Sequence, residues 1–239
     1  MAIVRESLVH EGPGGIFESA IAYDDKATGP RPGILVLPNV IGRKEFDDLK
    51  AERLAGLGYV GLAVDLFGQG KRPGPDNRTE YMDFLNADRP LLRDRLHAVL
   101  DLLKGAPQVD PARTAAIGFC FGGKCALDLA RSGADLLGVV SFHGVYDRPP
   151  YDTIEPIRPK VLVLHGWRDP IAPPDATVAL GEELSRGAAD WQIHMYGEAG
   201  HGFADPAANA PERGIAYEPK ADRRSWRAME DFLAEIFSA

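Results

Sequence analysis

Two cysteines in 239 residues, Cys120 and Cys125, are too few for a disulfide framework, and their spacing fits neither a Cys-x-x-Cys redox pair nor a metal-binding motif. Long hydrophobic runs are also lacking. No stretch is apolar for the length a bilayer requires, and Met1 to Ser7 has no basic segment leading into an apolar core, so neither a membrane span nor a secretory leader is expected. Clusters of basic residues are missing as well. Lys+Arg 27 against Asp+Glu 35 leaves a net charge of -8, which repels a phosphate backbone and argues against a nucleic-acid partner. There is no internal repeat and no low-complexity segment. A composition 45% hydrophobic and 26% charged is that of an ordinary globular chain, and free thiols point to the cytoplasm.

The length suits one α/β domain spanning 1–239. Val4 to Val9 and Phe17 to Tyr23 alternate as an antiparallel edge hairpin would. Continuous apolar runs bounded by turn residues then recur at 32–38, 59–66, 114–118, 136–142, 160–165 and 191–196, as expected of strands buried on both faces. Helical patterns separate them at 45–57, 78–85, 90–104, 175–186 and 221–237, with a further helix directly after Gly118 to Gly123. This alternation predicts a mostly parallel, doubly wound sheet flanked by helices, with ligands bound at the C-terminal strand ends.

One of those ends is Gly118-Phe119-Cys120-Phe121-Gly122-Gly123. A reactive side chain on a sharp strand-to-helix turn needs small residues two positions to either side, and Gly118 and Gly122 supply them around Cys120. This is the nucleophile elbow G-x-S-x-G of α/β-hydrolases, with a thiol for the hydroxyl. A helix N-terminus favours the thiolate. Cys125, on an Ala/Leu helix face, reads as structural. The base and its orienting acid must follow in the order nucleophile, acid, histidine. Of six histidines, His201 sits on a Gly-flanked loop tip after the last strand; His143 and His165 end strands in His-Gly pairs and read as turn braces. Asp169 follows a strand and meets the order, whereas Asp175 reads as a helix N-cap and Asp147 and Asp152 as solvated loop residues. An acyl-transfer oxyanion needs two backbone donors, expected from Phe121 in the elbow and Val40 in the loop after the first core strand.

Four segments, Gly118 to Gly123, Gly166-Trp167-Arg168-Asp169-Pro170, Ala199-Gly200-His201-Gly202-Phe203 and Leu37-Pro38-Asn39-Val40-Ile41-Gly42, are spread over nearly the whole chain and resemble the dienelactone hydrolases, or carboxymethylenebutenolidases. The resemblance implies a single-domain α/β-hydrolase fold without a lid domain. It implies a Cys-His-Asp triad at Cys120, His201 and Asp169, with no metal and no cofactor, in a monomer or else a dimer. Substrate contacts are implied at Asn39, Arg78, Tyr81 and Phe203. Two positions depart from the family pattern: Asn39 stands where well-known members carry a Glu, and Asp205 stands where an Arg would clamp the substrate carboxylate. An acidic Asp205 in the binding mouth would repel anions, so neutral esters or lactones are expected to be the better substrates. The same thiol and amides would suit a neutral phosphotriester. A non-enzymatic, redox-sensing protein on a hydrolase fold is the remaining alternative.

Overall fold

The computed structural model describes residues 2–238. The chain folds as two compact units, Met1–Ala116 and Ile117–Ala239. In the first, β1 (Ile3–Gly12) and β2 (Gly15–Asp24) form the expected antiparallel hairpin, with Val4 opposite Tyr23 and Val9 opposite Glu18. β3 (Arg31–Leu37), α1 (Glu45–Gly56), β4 (Val60–Ala63), α2 (Glu80–Ala87) and α3 (Arg89–Lys104) follow, and β5 (Val109–Phe119) passes into the second unit. Strand order is β1-β2-β4-β3-β5; β4 pairs antiparallel with β2 and parallel with β3.

The second unit continues in the order β5-β6-β7-β8, with β6 (Gly138–Phe142), β7 (Lys160–Gly166) and β8 (Trp191–Tyr196) pairing in parallel. Its helices are α4 (Phe121–Arg131), α5 (Pro174–Arg186) and α6 (Pro219–Ser238); β9 (Asn209–Ala210) and β10 (Ile215–Ala216) make a separate small ribbon. α4 and α6 pack on β6, and α6 buries Trp226, Met229, Phe232, Leu233 and Ile236 as its period predicts. The architecture is α/β with a mostly parallel sheet. Among the described residues no helix is long and apolar enough to cross a membrane.

Several boundaries differ from the sequence pattern, each for a local reason. β4 ends at Ala63, short of Leu66, because the Asp65 carboxylate accepts hydrogen bonds from the Phe67 and Gly68 amides and turns the chain. β5 begins at Val109, five residues before its apolar stretch, in a segment whose Asp110, Pro111 and Arg113 read as loop. α2 begins at Glu80, so Arg78 lies in the preceding turn, where the Glu80 amide bonds the Asn77 carbonyl. Asp175 is inside α5, whose N-cap is Pro173.

Close approach dictates glycine at Gly61, where a Cβ would stand 2.7 Å from both the Cα and the carbonyl oxygen of Ala51 on α1. Gly61→Ala forces α1 away from β4 and is expected to cost about 1–3 kcal/mol by overpacking. Urea unfolding measures this, and an unchanged midpoint would refute the tight fit.

Candidate active site

The end of β5 runs directly into α4 through Cys120, whose backbone has φ 55° and ψ -114°. Few non-glycine residues adopt such angles, and a strained turn of this kind marks a site where geometry is imposed from outside. Two contacts impose it. A Cβ on Gly118 would collide with the Gly122 carbonyl oxygen, so only glycine lets strand and helix meet this closely. The Cys120 amide also donates to the Phe142 carbonyl at 3.0 Å, tying the elbow to β6. Cys120 is half-buried, while Cys125, five residues on, is fully buried in α4. Phe121 opens the helix immediately after the thiol, so its backbone N–H is among those at the helix N-terminus.

The loop after β7 presents Asp169 and the loop after β8 presents His201. His201 Nδ1 lies 2.8 Å from Asp169 Oδ2, with both side chains buried. The other carboxylate oxygen, Oδ1, accepts from the backbone amides of Ile171 (2.8 Å) and Ala172 (3.2 Å), which fixes the plane of the group. His201 is fixed by its backbone, its amide donating to the Gly214 carbonyl and its carbonyl accepting from Ala216, so the β9–β10 ribbon acts as a clamp. Burial pulls the His201 pKa down. Hydrogen bonding and charge from Asp169 and Cys120 outweigh that and raise it to about 10. Nε2 is buried without a well-formed hydrogen bond of its own, so the imidazole couples Asp169 on one side to the Cys120 sulfur on the other. The three residues picked from the sequence therefore meet in one place.

His143, read from sequence as a turn brace, belongs to this site as well. It takes the strained φ of 37° and is fully buried, its ring centroid 5.3 Å from His201 and 5.0 Å from Phe203, edge-on to both. Phe203 has no exposed surface and also meets Tyr196 edge-on at 5.5 Å. It thus supports the His201 loop from within, where the sequence suggested a substrate contact. Asp205 is buried too, its Oδ1 accepting from the Ala207 amide, so it shapes its own loop instead of presenting charge at a mouth. Asp147 is exposed in the loop after β6, as the sequence suggested, and from there it pairs with the buried Lys124 at 2.7 Å.

The residues expected from the first unit are placed as follows. Asn39 is buried and its Oδ1 accepts from the Ile41 amide, an Asx turn that shapes the loop after β3. Val40 is half-buried in that turn. Tyr81 packs against Phe67 with the rings tilted by 30° and their centroids 5.4 Å apart, and Arg78 is exposed.

One residue that the sequence did not mark organises the wall of the second unit. Arg131, at the end of α4, is buried with Asp128 and Glu183, and its guanidinium donates to both Glu183 oxygens at 2.9 Å and to the Tyr146 and Asp147 carbonyls. An arginine in the last turn of a helix looks like any solvated cation in the sequence; only its depth reveals the role.

The raised His201 pKa has a thermodynamic consequence. In the unfolded chain the ring titrates near 6.5 and in the folded chain at about 10, so the native form holds a proton that the unfolded form releases. That stabilisation is fully present below pH 6.5 and is lost as pH rises through about 10. The urea midpoint of the wild type should fall across this window and that of His201→Gln much less; equal slopes would show that the ring is not paired.

Comparison with known proteins agrees with this arrangement. The model of the dienelactone hydrolase family matches residues 17–237. A solved structure named m3DLH is 40% identical with a TM-score of 0.93, covering 99% of this chain and 100% of its own. A dienelactone hydrolase-like promiscuous phosphotriesterase from metagenomic libraries is 34% identical with a TM-score of 0.93, again covering 99% and 100%. A putative carboxymethylenebutenolidase of Yersinia pestis is 29% identical over 227 residues, 90% of this chain and 82% of its own. On the strength of the family match over almost its whole length, and of an α/β fold shared end to end with these structures, the chain belongs to the dienelactone hydrolase family, whose members hydrolyse ester and lactone bonds.

Proposed function

We propose that this enzyme cleaves small neutral esters or lactones through an acyl-cysteine intermediate. The observation that carries this reading is the buried 2.8 Å bond between Asp169 and His201 beside a cysteine held at the strained turn of an elbow. The Cys120 sulfur attacks the acyl carbon and a tetrahedral intermediate forms, its negative oxygen received by the Phe121 amide. The sequence pattern assigns the second donor to Val40. The imidazolium of His201 gives its proton to the departing alkoxide, and the carbon–oxygen bond breaks. His201, now neutral, takes a proton from water as the water attacks the thioester, and collapse of the second intermediate returns Cys120 and the carboxylic acid product. Asp169 orients the ring and stabilises its charged form throughout.

The preference for neutral substrates rests on the lack of a cation at position 205, since the acidic residue there is buried and tied to its own loop. With p-nitrophenyl butyrate, Cys120→Ala should lower kcat/KM by at least about a thousandfold, the scale on which loss of a nucleophile acts. The wild type should turn over that ester with a higher kcat/KM than a carboxylated lactone. A clear preference for the anion would overturn the neutral assignment, and full activity in Cys120→Ala would overturn the nucleophile.

A second reading keeps the site and changes the electrophile. The name of the phosphotriesterase structure, 34% identical to this chain, favours it. A phosphotriester's phosphoryl oxygen could use the same donors, with Cys120 attacking phosphorus. Paraoxon turnover that disappears in Cys120→Ala would support promiscuity; paraoxon inert to the wild type would confine the enzyme to acyl carbon.

A further inference from the structure

A second imidazole that the proposed reaction does not use acts on Asp169. His165, near the end of β7, has no exposed surface, and its Nδ1 lies 2.7 Å from the hydroxyl of Tyr146, itself buried in the loop after β6. The other ring nitrogen of His165, Nε2, is buried without a well-formed hydrogen bond, and the ring lies near the Ala172 backbone and within reach of the Asp169 charge. Ala172 donates its amide to Asp169 Oδ1, and Asp169 Oδ2 meets His201 Nδ1. The Tyr146–His165 pair thus sits beside the 169–172 turn that holds Asp169 against His201.

A carboxylate between two imidazoles can stabilise a proton on either one. A proton on His165 would draw on the charge of Asp169 and would repel the imidazolium of His201, which the proposed mechanism needs. Among the described residues three titratable groups act on His165: Asp169, which draws it toward the charged form, His201, which opposes that, and Tyr146, whose hydroxyl faces Nδ1. Burial, the largest influence, acts with His201 to keep the His165 pKa below its ordinary value despite Asp169. Burial and then the charge of Asp169 push the Tyr146 hydroxyl well above its usual range, so its proton is always present to donate.

We propose that Tyr146 and His165 are a positioning pair for the acid of the triad: the Tyr146 hydroxyl donates to Nδ1, holds His165 as the neutral Nε2–H tautomer, and leaves Asp169 to serve His201 alone. This inference rests on the triad reading above. The pair touches none of the reacting atoms; it controls the charge beside them.

Nitrogen-15 NMR of the histidine rings tests it. In the wild type, Nδ1 of His165 should report a nitrogen without a proton and Nε2 one with a proton, unchanged from about pH 5.5 to 8, the range in which an ordinary histidine titrates. Tyr146→Phe removes one buried oxygen. In that variant His165 should titrate within the range, and kcat/KM for p-nitrophenyl butyrate at the acid end should drop about tenfold below the wild type, in kcat more than in KM. Adding His165→Gln, which cannot take a charge, should return the pH profile of Tyr146→Phe to that of the wild type. A proton on Nδ1 in the wild type, an untitrated His165 with an unchanged profile in Tyr146→Phe, or an acid defect that survives in the double variant would each overturn the pairing. The wild-type tautomer is read without any variant, so misfolding of Tyr146→Phe does not rescue the idea. It is also independent of turnover: an active Cys120→Ala would sink the triad reading while leaving the His165 tautomer as measured.

Discussion

The second unit depends on how closely β5 can approach the first turn of α4. With Gly118 lying against the Gly122 carbonyl, the chain reverses in so few atoms that Cys120 is forced to positive φ at the tip. The neighbouring elements follow from that corner. β6 receives the elbow amide at Phe142, His143 leaves β6 in its own strained conformation, and Gly144 has room for no side chain because the Ser141 hydroxyl fills the space a Cβ would occupy. Two consecutive strands of the unit thus end in residues at positive φ, and both of those residues lie at the site. Of the three non-glycine residues at positive φ among the described residues, two lie where chemistry is proposed and the third, Ala188, is in a turn after α5; strain held at a site in this way is what preorganisation requires.

Electrostatics then separates two kinds of buried charge. Arg131 sets its guanidinium between Asp128 and Glu183, with two hydrogen bonds to Glu183 and one to Asp128, and turns its remaining donors to the backbone of the loop after β6. Such a cluster gives little net stability but fixes one arrangement over others. Asp169 is different. Among the described residues its side chain meets two backbone amides and an imidazole, so its charge is directed at the ring. The same unit uses one set of buried charges to hold a wall and pairs another with an imidazole at the proposed site.

How much of this was legible in the sequence follows from which physical signals a single chain carries. Strands buried on both faces announce themselves as apolar runs, and β8 matches its sequence boundaries at both ends, Trp191 and Tyr196. The elbow is legible because glycine at two fixed positions has a steric cause, and Asp169 and His201 because they follow strands in a fixed order. Burial of polar loop residues leaves no such trace. Asp205 reads as a mouth residue and is a loop brace; Phe203 reads as a substrate contact and is enclosed; Arg131 carries no mark in the sequence and is among the most buried side chains. The start of β5 and the two-residue strands β9 and β10 were invisible for a related reason, since their pairing is set by the backbone and not by apolar side chains.

The depth of Cys125 bears on how the enzyme ages. A thiol activated for attack is also the first to meet peroxide, and the sulfenic acid so formed is normally rescued by a neighbouring thiol that closes a disulfide. Here the only other thiol is sealed inside α4 with no surface exposed, so it is out of reach as a resolving partner. Oxidised Cys120 therefore depends on small thiols from outside or goes on to the sulfinic acid, which they do not reverse. The packing that keeps α4 dry leaves the proposed nucleophile without an internal means of repair.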